Sequence, residues 1–222
     1  MKARPGWDLM MEGRFADALL AFQRKGKEMD RFAKAGSAIA YVALGRYEDA
    51  KEIFDESLDL RPTSSDSHVW SGLARWLLKH WEDATKIWER GLTCQYQDGA
   101  GGMELALLLY YAGTRRPNVY DVGKAKALIE KKLGSLWAKN WPGPVGEYIV
   151  ARISEKELKS RARFTHKIVT AKQMCQADFY IGIAAIRDGK ERTAKKHFRL
   201  ATGSLLSVNI CERYLAIHEL SG

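Results

Sequence analysis

Apolar residues recur along most of this chain at the three- and four-residue spacings of amphipathic helices, interrupted by glycine, proline or short polar stretches. Within that pattern one arrangement repeats: a glycine, an aromatic residue two positions later, an alanine three positions after that, and a second aromatic four positions further on. The first copy is Gly13, Phe15, Ala18 and Phe22, and the second is Gly45, Tyr47, Ala50 and Phe54. The pattern predicts pairs of helices joined by tight turns.

Two further copies are incomplete. The third has Trp81, Ala84 and Trp88 with Lys79 in the place of the glycine, and a late copy has Gly189, Ala194, Phe198 and Ala201 without the first aromatic. The alanines at 18, 50 and 84 are 32 and 34 residues apart. This chain therefore resembles the tetratricopeptide repeat (TPR), a helix-turn-helix unit of about 34 residues.

Each recurring residue has a physical reason. A glycine at the end of the first helix takes the left-handed conformation that lets the chain reverse. Small residues let the paired helices approach closely, and the preceding helices carry one at each expected position, namely Ala38, Gly72, Ala106 and Gly182. Pro62 is expected to end the second helix of its repeat, since proline cannot continue the hydrogen-bond ladder.

The predicted fold class is all-α, a TPR-type right-handed superhelix that spans residues 1–222 as one domain. The predicted units are repeats at about 1–28, 31–62, 65–97 and 101–134, a helix pair at 142–163, a last repeat at 173–202 and a capping helix at 204–220. The fourth repeat is expected to turn at Gly113 and to carry an inserted loop, 113–121, before a second helix with Asp121 as its N-cap. Ser154 and Glu157 form a capping-box signature inside the helix pair.

The second half of the chain resembles more than a generic TPR. It is similar to the C-terminal half of the bacterial NlpI-type TPR lipoproteins, closely over about 137–220 and loosely elsewhere. The residues that carry the likeness are Trp141, Tyr148, Ile153, Ser154, Phe179, Tyr180, Gly182, Gly189, Ala194, Phe198, Tyr214, Ala216, Glu219 and Leu220. This resemblance implies a non-enzymatic adaptor that docks partner proteins, often as a homodimer. We expect neither the signal peptide nor the lipid-attachment cysteine of that family, so we transfer only the architecture and the scaffold role.

The residues offer little catalytic chemistry. The five histidines are dispersed without metal-ligand spacing, and no phosphate-binding loop or nucleophile elbow is present. The three cysteines are far apart, which favours buried apolar side chains over disulfides. We therefore predict no enzyme activity, no metal and no cofactor. No apolar run reaches membrane-spanning length or resembles a signal peptide, so we expect a cytoplasmic protein without membrane insertion.

The repeat pattern offers candidate residues for binding a partner protein. In a TPR array the first helix of each repeat lines a concave groove, and several apolar or aromatic residues fall on or near that face. The predicted groove residues are Phe32, Ile39, Val42, Val69, Leu73, Trp76, Met103, Leu107 and Tyr110. Two alternatives stay open at this point: the chain's own C-terminal helices fill the groove, or a dimer buries it.

The formal net charge of +9 is distributed unevenly along the chain. Residues 1–151 carry a net charge of +2, residues 152–199 carry +8, and residues 200–222 carry −1. We define a basic surface by nine of these cations, Arg161, Arg163, Lys167, Lys172, Lys190, Arg192, Lys195, Lys196 and Arg199. A solvated helix face, an acidic protein partner and a nucleic acid all remain compatible with it, in that order of preference.

The sequence thus predicts a protein-interaction adaptor that binds another protein through its groove and its basic C-terminal surface. One alternative is an immunity protein that binds and neutralises a bacterial toxin. Another is a nucleic-acid-associated adaptor, which the lack of any nucleic-acid motif disfavours. The partner's identity, the oligomeric state and the role of the inserted loop are left open.

Overall fold

The computed structural model describes residues 5–24 and 31–222, so the predicted first repeat, about 1–28, lies partly outside the described residues. The described part contains thirteen α-helices. In chain order they are α1 (Gly6–Met11), α2 (Phe15–Gln23), α3 (Arg31–Ala43), α4 (Tyr47–Leu60), α5 (Ser65–Leu77), α6 (Trp81–Gly91), α7 (Met103–Arg115), α8 (Val122–Leu133), α9 (Gly143–Ile149), α10 (Glu155–Arg161), α11 (Lys167–Arg187), α12 (Glu191–Thr202) and α13 (Cys211–Ser221).

The helices pack as consecutive hairpins. The pairs α1–α2, α3–α4, α5–α6, α7–α8 and α11–α12 are each in contact, and α2–α3, α4–α5 and α6–α7 join one pair to the next. Two short 3-10 turns, Leu136–Lys139 and Leu205–Ser207, lie between helices. Over the described residues the only β-type pairing is an isolated bridge between Ser64 and Tyr96. The prediction of an all-α chain is confirmed.

The turns between paired helices have the predicted backbone geometry. Gly13, Gly45 and Gly189 have φ angles of 77°, 75° and 70°, which is the left-handed region that glycine adopts at little cost. Lys79 takes the same conformation, with φ of 65°. The hydrogen bonds match as well, since the amide after each turn residue donates to the carbonyl five positions back, at 2.9 Å from Arg46 to Tyr41 and from His80 to Arg75.

Small residues stand where a large aromatic from the second helix meets the first. A β-carbon built on Gly72 would lie 2.1 Å from Nε1 of Trp88, and one built on Gly182 would lie 2.5 Å from the Phe198 ring. Neither contact is sterically allowed, so each aromatic requires a glycine opposite it. These contacts account for the pairing of Gly72 with Trp88 and of Gly182 with Phe198 in the repeating pattern.

The fourth helix pair differs from the prediction at its turn. Gly113 lies inside α7, which continues to Arg115, and the connection to α8 covers residues 116–121. A β-carbon on Gly113 would lie 2.9 Å from Cα of Val122, so this glycine serves close packing of the following loop. The second helix begins as expected, because Asp121 Oδ1 accepts a hydrogen bond of 2.6 Å from the Lys124 amide.

Other boundaries shift by a few residues. The Ser154 hydroxyl accepts from the Glu157 amide at 3.2 Å and caps α10, whereas the Glu157 carboxylate pairs with Arg161 and does not close a capping box. Helix α11 begins at Lys167, six residues before the predicted last repeat, and is 21 residues long. The predicted capping helix is a 3-10 turn followed by α13.

The C-terminal helices fold back against the earlier ones. Helix α13 packs on α12, as predicted for a cap, and also on α5, while α11 packs on α7. The 3-10 turn at Leu205–Ser207 contacts α1. The first helices α1, α5 and α7 are therefore each in contact with an element of the C-terminal part of the chain.

Candidate functional site

The predicted groove is filled. Eight of its nine residues are buried, with exposures between 0% and 4%, and only Phe32 is exposed, at 64%. Helix α13 packs against α5, and α11 packs against α7. Of the alternatives left by the sequence, the structure therefore has the chain's own C-terminal helices on the α5 and α7 part of the groove, and the eight buried residues offer no surface to a partner in this state.

A hydrogen-bonded chain fastens α13 to the inner helices. The Trp76 indole Nε1 donates to the Tyr111 hydroxyl at 2.8 Å, and that hydroxyl donates to Oε1 of Glu219 at 2.8 Å. Arg115 completes the chain with Nε 2.9 Å from Oε2 of Glu219. Burial and the neighbouring Glu219 carboxylate raise the pKa of the Tyr111 phenol well above its usual value, which keeps it protonated as a donor.

Aromatic rings extend this contact. The Tyr214 ring of α13 lies 6.3 Å from the Trp70 ring of α5, and the Phe179 ring of α11 lies 5.3 Å from the Tyr111 ring of α7. Both distances are in the range of favourable aromatic pairs. The sequence pattern identifies the residues on the groove side. It does not identify the residues that pack against them, Tyr214, Glu219 and Phe179, because their spacing in sequence does not indicate which helix they contact.

The basic surface divides into two kinds of residue. Arg161 is neutralised, with guanidinium nitrogens 2.6 Å from Glu147 and 2.5 Å from Glu157. Lys172 is half-buried, and burial lowers the pKa of its ammonium. Lys190 lies 3.8 Å from Asp188. Arg163 and Lys167 are exposed before and at the start of α11, and Lys190 is the N-cap residue of α12.

The remaining four cations share one face of α12. Arg192, Lys195, Lys196 and Arg199 are all exposed, and their spacing of three, four and seven residues places them on one side of the helix. The opposite side carries the buried Ala194, His197, Phe198 and Ala201. No acidic side chain of the described residues pairs with these four cations. We call them the α12 cation face; half-exposed Leu200, at 50%, borders it.

His197 has a structural role that the sequence did not indicate. Its Nδ1 lies 2.8 Å from Oδ1 of Asp178, and both residues are only 4% exposed. Lys159 of α10 lies 3.0 Å from the same carboxylate oxygen and 3.2 Å from Glu155. A buried carboxylate needs such compensation, so this group joins α10, α11 and α12.

A second buried acid lacks a cation. Glu212, at the start of α13, is fully buried; its Oε1 accepts from Gln176 Nε2 at 3.1 Å, while Oε2 has no hydrogen-bond partner. The Tyr180 hydroxyl likewise makes no hydrogen bond of good geometry, although it lies close enough to the Glu212 carboxylate to lower the pKa of that group. Burial raises the pKa of the Glu212 carboxyl to about 7. The same effect, together with the Glu212 charge, raises the pKa of the Glu104 carboxyl.

The thiols are not activated. Burial raises the pKa of Cys175 to about 12, that of Cys211 well above its usual value, and that of the half-exposed Cys94. Cys94 Sγ lies 3.5 Å from Nδ1 of His68, but this nitrogen also lies 3.0 Å from the Ser64 carbonyl, to which it donates. A ring nitrogen that carries its proton toward a carbonyl does not act as the base for that thiol.

The described residues lack two further features. No group of three or more histidine, cysteine, aspartate or glutamate side chains among them is arranged to hold a metal ion. None of the helices described combines the length and the apolar character that crossing a bilayer requires. No protein-family model matches the chain.

Proposed function

We propose that this protein is a non-enzymatic, cytoplasmic TPR-type interaction protein whose partner is an acidic protein that docks on the α12 cation face. The recurring turn geometry and the glycine–aromatic contacts support the TPR assignment. The observation that carries the function is the charge arrangement on α12, where four cations share one face without an intramolecular carboxylate.

Elsewhere in the described chain some cations pair with an acid and others, Lys131 and Lys156 among them, do not; the feature of α12 that supports the proposal is that four unpaired cations share one face. Arg46 pairs with Asp49 at 2.9 Å, Lys124 with Glu89 at 2.5 Å, and Arg14 with Asp17 at 2.7 Å, each within reach of a local acid. On α12 the sole acidic residue, Glu191, lies at the first position and makes no such pair. Like charges at helical neighbour spacings repel, so a cationic stripe costs stability unless an external anion offsets it.

The same face favours a protein over a nucleic acid. Single-stranded nucleic acids are held by aromatic side chains on which bases stack, and α12 exposes none. Half-exposed Leu200 instead offers an apolar contact next to the charges. Protein interfaces combine such apolar contacts with a charged rim that steers association. Docking on α12 requires no opening of the core, because its four cations are already exposed, whereas eight of the nine predicted groove residues are buried.

A charge-reversal experiment tests the proposal. The variant Lys195→Glu, Lys196→Glu, Arg199→Glu changes the α12 face, and Lys131→Glu, Lys139→Glu, Lys156→Glu is a matched control that makes the same charge change at exposed, scattered positions. Each variant and the parent are immobilised and used to capture proteins from lysate, with and without nuclease, after circular dichroism confirms equal helicity. A defined acidic peptide, oligo-glutamate, and a single-stranded oligonucleotide serve as direct probes.

We expect the parent and the control to retain the same acidic protein and the oligo-glutamate, with nuclease making no difference, and the α12 variant to lose both by at least tenfold. Binding should also weaken with added salt. Equal capture by the α12 variant and the control contradicts the proposal. Capture that disappears on nuclease treatment would instead assign the surface to nucleic acid.

A further inference from the structure

Two adjacent apolar side chains project from the 3-10 turn at Leu136–Lys139, which connects α8 to α9. Leu136 is 88% exposed, the highest value among the large apolar side chains of the described residues, and Trp137 is 66% exposed. All seven tryptophans lie in the described part of the chain, and the other six are buried or half-buried. We call this pair the Leu136–Trp137 tip. It shares no residue with the α12 cation face.

Hydrogen bonds fix the backbone of this turn. Ser135 Oγ accepts from the Trp137 amide at 3.2 Å, and the Trp137 carbonyl accepts from the Asn140 amide at 2.9 Å. The Asn140 side chain in turn donates to the Gly99 carbonyl at 3.0 Å, and Ala138 is buried. The tip is therefore held outward by an anchored turn, so its exposure is a property of the fold.

Lysines flank the tip on both sides in sequence. Lys131 near the end of α8 and Lys139 at the end of the turn are exposed, and no acidic side chain of the described residues pairs with either. The Lys132 ammonium donates to the Gly101 carbonyl at 2.6 Å, and a β-carbon on Gly101 would lie 3.8 Å from Cβ of Trp137. A third cation is therefore near the base of the indole side chain.

The charge around the tip is positive. Residues 126–140 contain four lysines and one acidic residue, Glu130, and Asp98 is the acid whose charge acts on the Lys132 ammonium. These side chains together leave +2. Helix α8 ends beside the tip with roughly half a negative charge, and α7 begins after Gly102 with about half a positive charge, so the helix ends do not change this sum.

We propose that the Leu136–Trp137 tip anchors this protein peripherally on an anionic lipid bilayer. Both apolar side chains enter the interfacial layer, while Lys131 and Lys139 contact the headgroups. Tryptophan favours the headgroup level of a bilayer, leucine the apolar region beneath it, and lysines are attracted to anionic lipids. An apolar pair that stands clear of the surface has no walls to enclose a small ligand, whereas a fluid bilayer accepts it without a preformed pocket. This mode requires no helix that crosses the membrane.

Co-sedimentation of the full chain with vesicles tests the proposal, using phosphatidylcholine alone and phosphatidylcholine mixed with phosphatidylserine. We expect the parent to bind the mixed vesicles and the variant Leu136→Ser, Trp137→Ser to bind them at least tenfold more weakly. The matched control Phe32→Ser, Leu60→Ser removes an aromatic and a leucine that are 64% and 70% exposed on α3 and α4, and it should bind as the parent does. Circular dichroism confirms that each variant is folded.

A second pair of variants tests the lysines. Lys131→Gln, Lys139→Gln should reduce binding to the mixed vesicles to the level seen with phosphatidylcholine alone, because only the anionic lipid attracts these charges. The control Lys86→Gln, Lys156→Gln removes two exposed lysines elsewhere and should leave binding unchanged. Added salt should weaken binding of the parent to the mixed vesicles.

Fluorescence reports insertion directly, because Trp137 is the one exposed tryptophan among the seven. Lipids brominated on their acyl chains should quench the parent, and the conservative variant Trp137→Phe should still sediment with vesicles but lose that quenching. Failure of the parent to bind the mixed vesicles overturns the proposal. Equal binding by Leu136→Ser, Trp137→Ser overturns it as well, since adsorption would then be purely electrostatic, with the α12 cations as its source. None of these results depends on whether oligo-glutamate binds to α12.

Discussion

Replacing Lys79 by glycine is expected to stabilise the protein. Lys79 occupies the turn position that Gly13, Gly45 and Gly189 occupy in the other helix pairs, and its φ of 65° is in the left-handed region. For a residue with a β-carbon this conformation costs roughly 1–2 kcal/mol. Glycine removes that cost but also gains freedom in the unfolded chain, which takes back about 0.4–1 kcal/mol.

The expected net gain in the free energy of unfolding is therefore about 0.5–1 kcal/mol, which corresponds to roughly 1–4 °C in the melting temperature of a chain of this size. Gly45 allows the reverse substitution to be tested. A β-carbon on Gly45, where φ is 75°, would have no atom within 4 Å, so Gly45→Lys meets open space and pays only the backbone cost. It should destabilise by about the amount that Lys79→Gly stabilises.

Urea unfolding followed by circular dichroism, in a phosphate-free buffer, measures both changes. Lys79→Ala is the control, because it removes the same charge and side chain but keeps a β-carbon at positive φ. If Lys79→Gly is no more stable than Lys79→Ala, the gain does not come from the backbone conformation and the reasoning fails. A loss of stability in Lys79→Gly would show that the lysine side chain contributes more than the strain it imposes.

Three further predictions address the core and its titratable groups. Gly72→Ala should destabilise by about 1–3 kcal/mol in urea unfolding, because its β-carbon would overlap the Trp88 indole; a change below about 0.5 kcal/mol would mean that the helices can separate freely. Tyr111→Phe leaves the Trp76 indole without its acceptor and should cost about 1–3 kcal/mol and speed hydrogen exchange in α13, whereas unchanged exchange would show that other contacts hold that helix. In the folded state the pKa of the Glu212 carboxyl is raised to about 7, from an unfolded value near 4.5, so the folded state binds a proton that the unfolded state releases. The contribution of this group to stability should therefore be fully present below pH 4.5 and should fall, by on the order of 3 kcal/mol, as the pH rises to 7. Glu212→Gln should flatten that fall in a series of melts between about pH 5 and 8, and a slope equal to that of the parent would assign the dependence to other groups, Glu104 first among them.

Much of the local structure follows from residues close together in sequence. The left-handed turns depend on one position and its five preceding neighbours, and the Asp121 and Ser154 caps depend on an amide three residues away. Small residues opposite large aromatics repeat at a constant spacing, so the pairing of Gly72 with Trp88 is visible in the pattern. Even here a local rule misleads once, since Gly113 matches a turn glycine and is used for close packing inside α7.

The contacts that hold α13 against the inner helices depend on tertiary structure. The hydrogen bond between Tyr111 and Glu219 joins residues 108 positions apart, and Trp70 meets Tyr214 over a still longer separation. Amphipathic spacing shows that α13 has a face to bury and does not say against which helix, so an open groove and a filled one fit the same sequence. The excess of positive charge in the C-terminal third was evident from counting, but pairing is a property of neighbours in space. Only the fold shows that Arg161 is neutralised while the four cations of α12 are not.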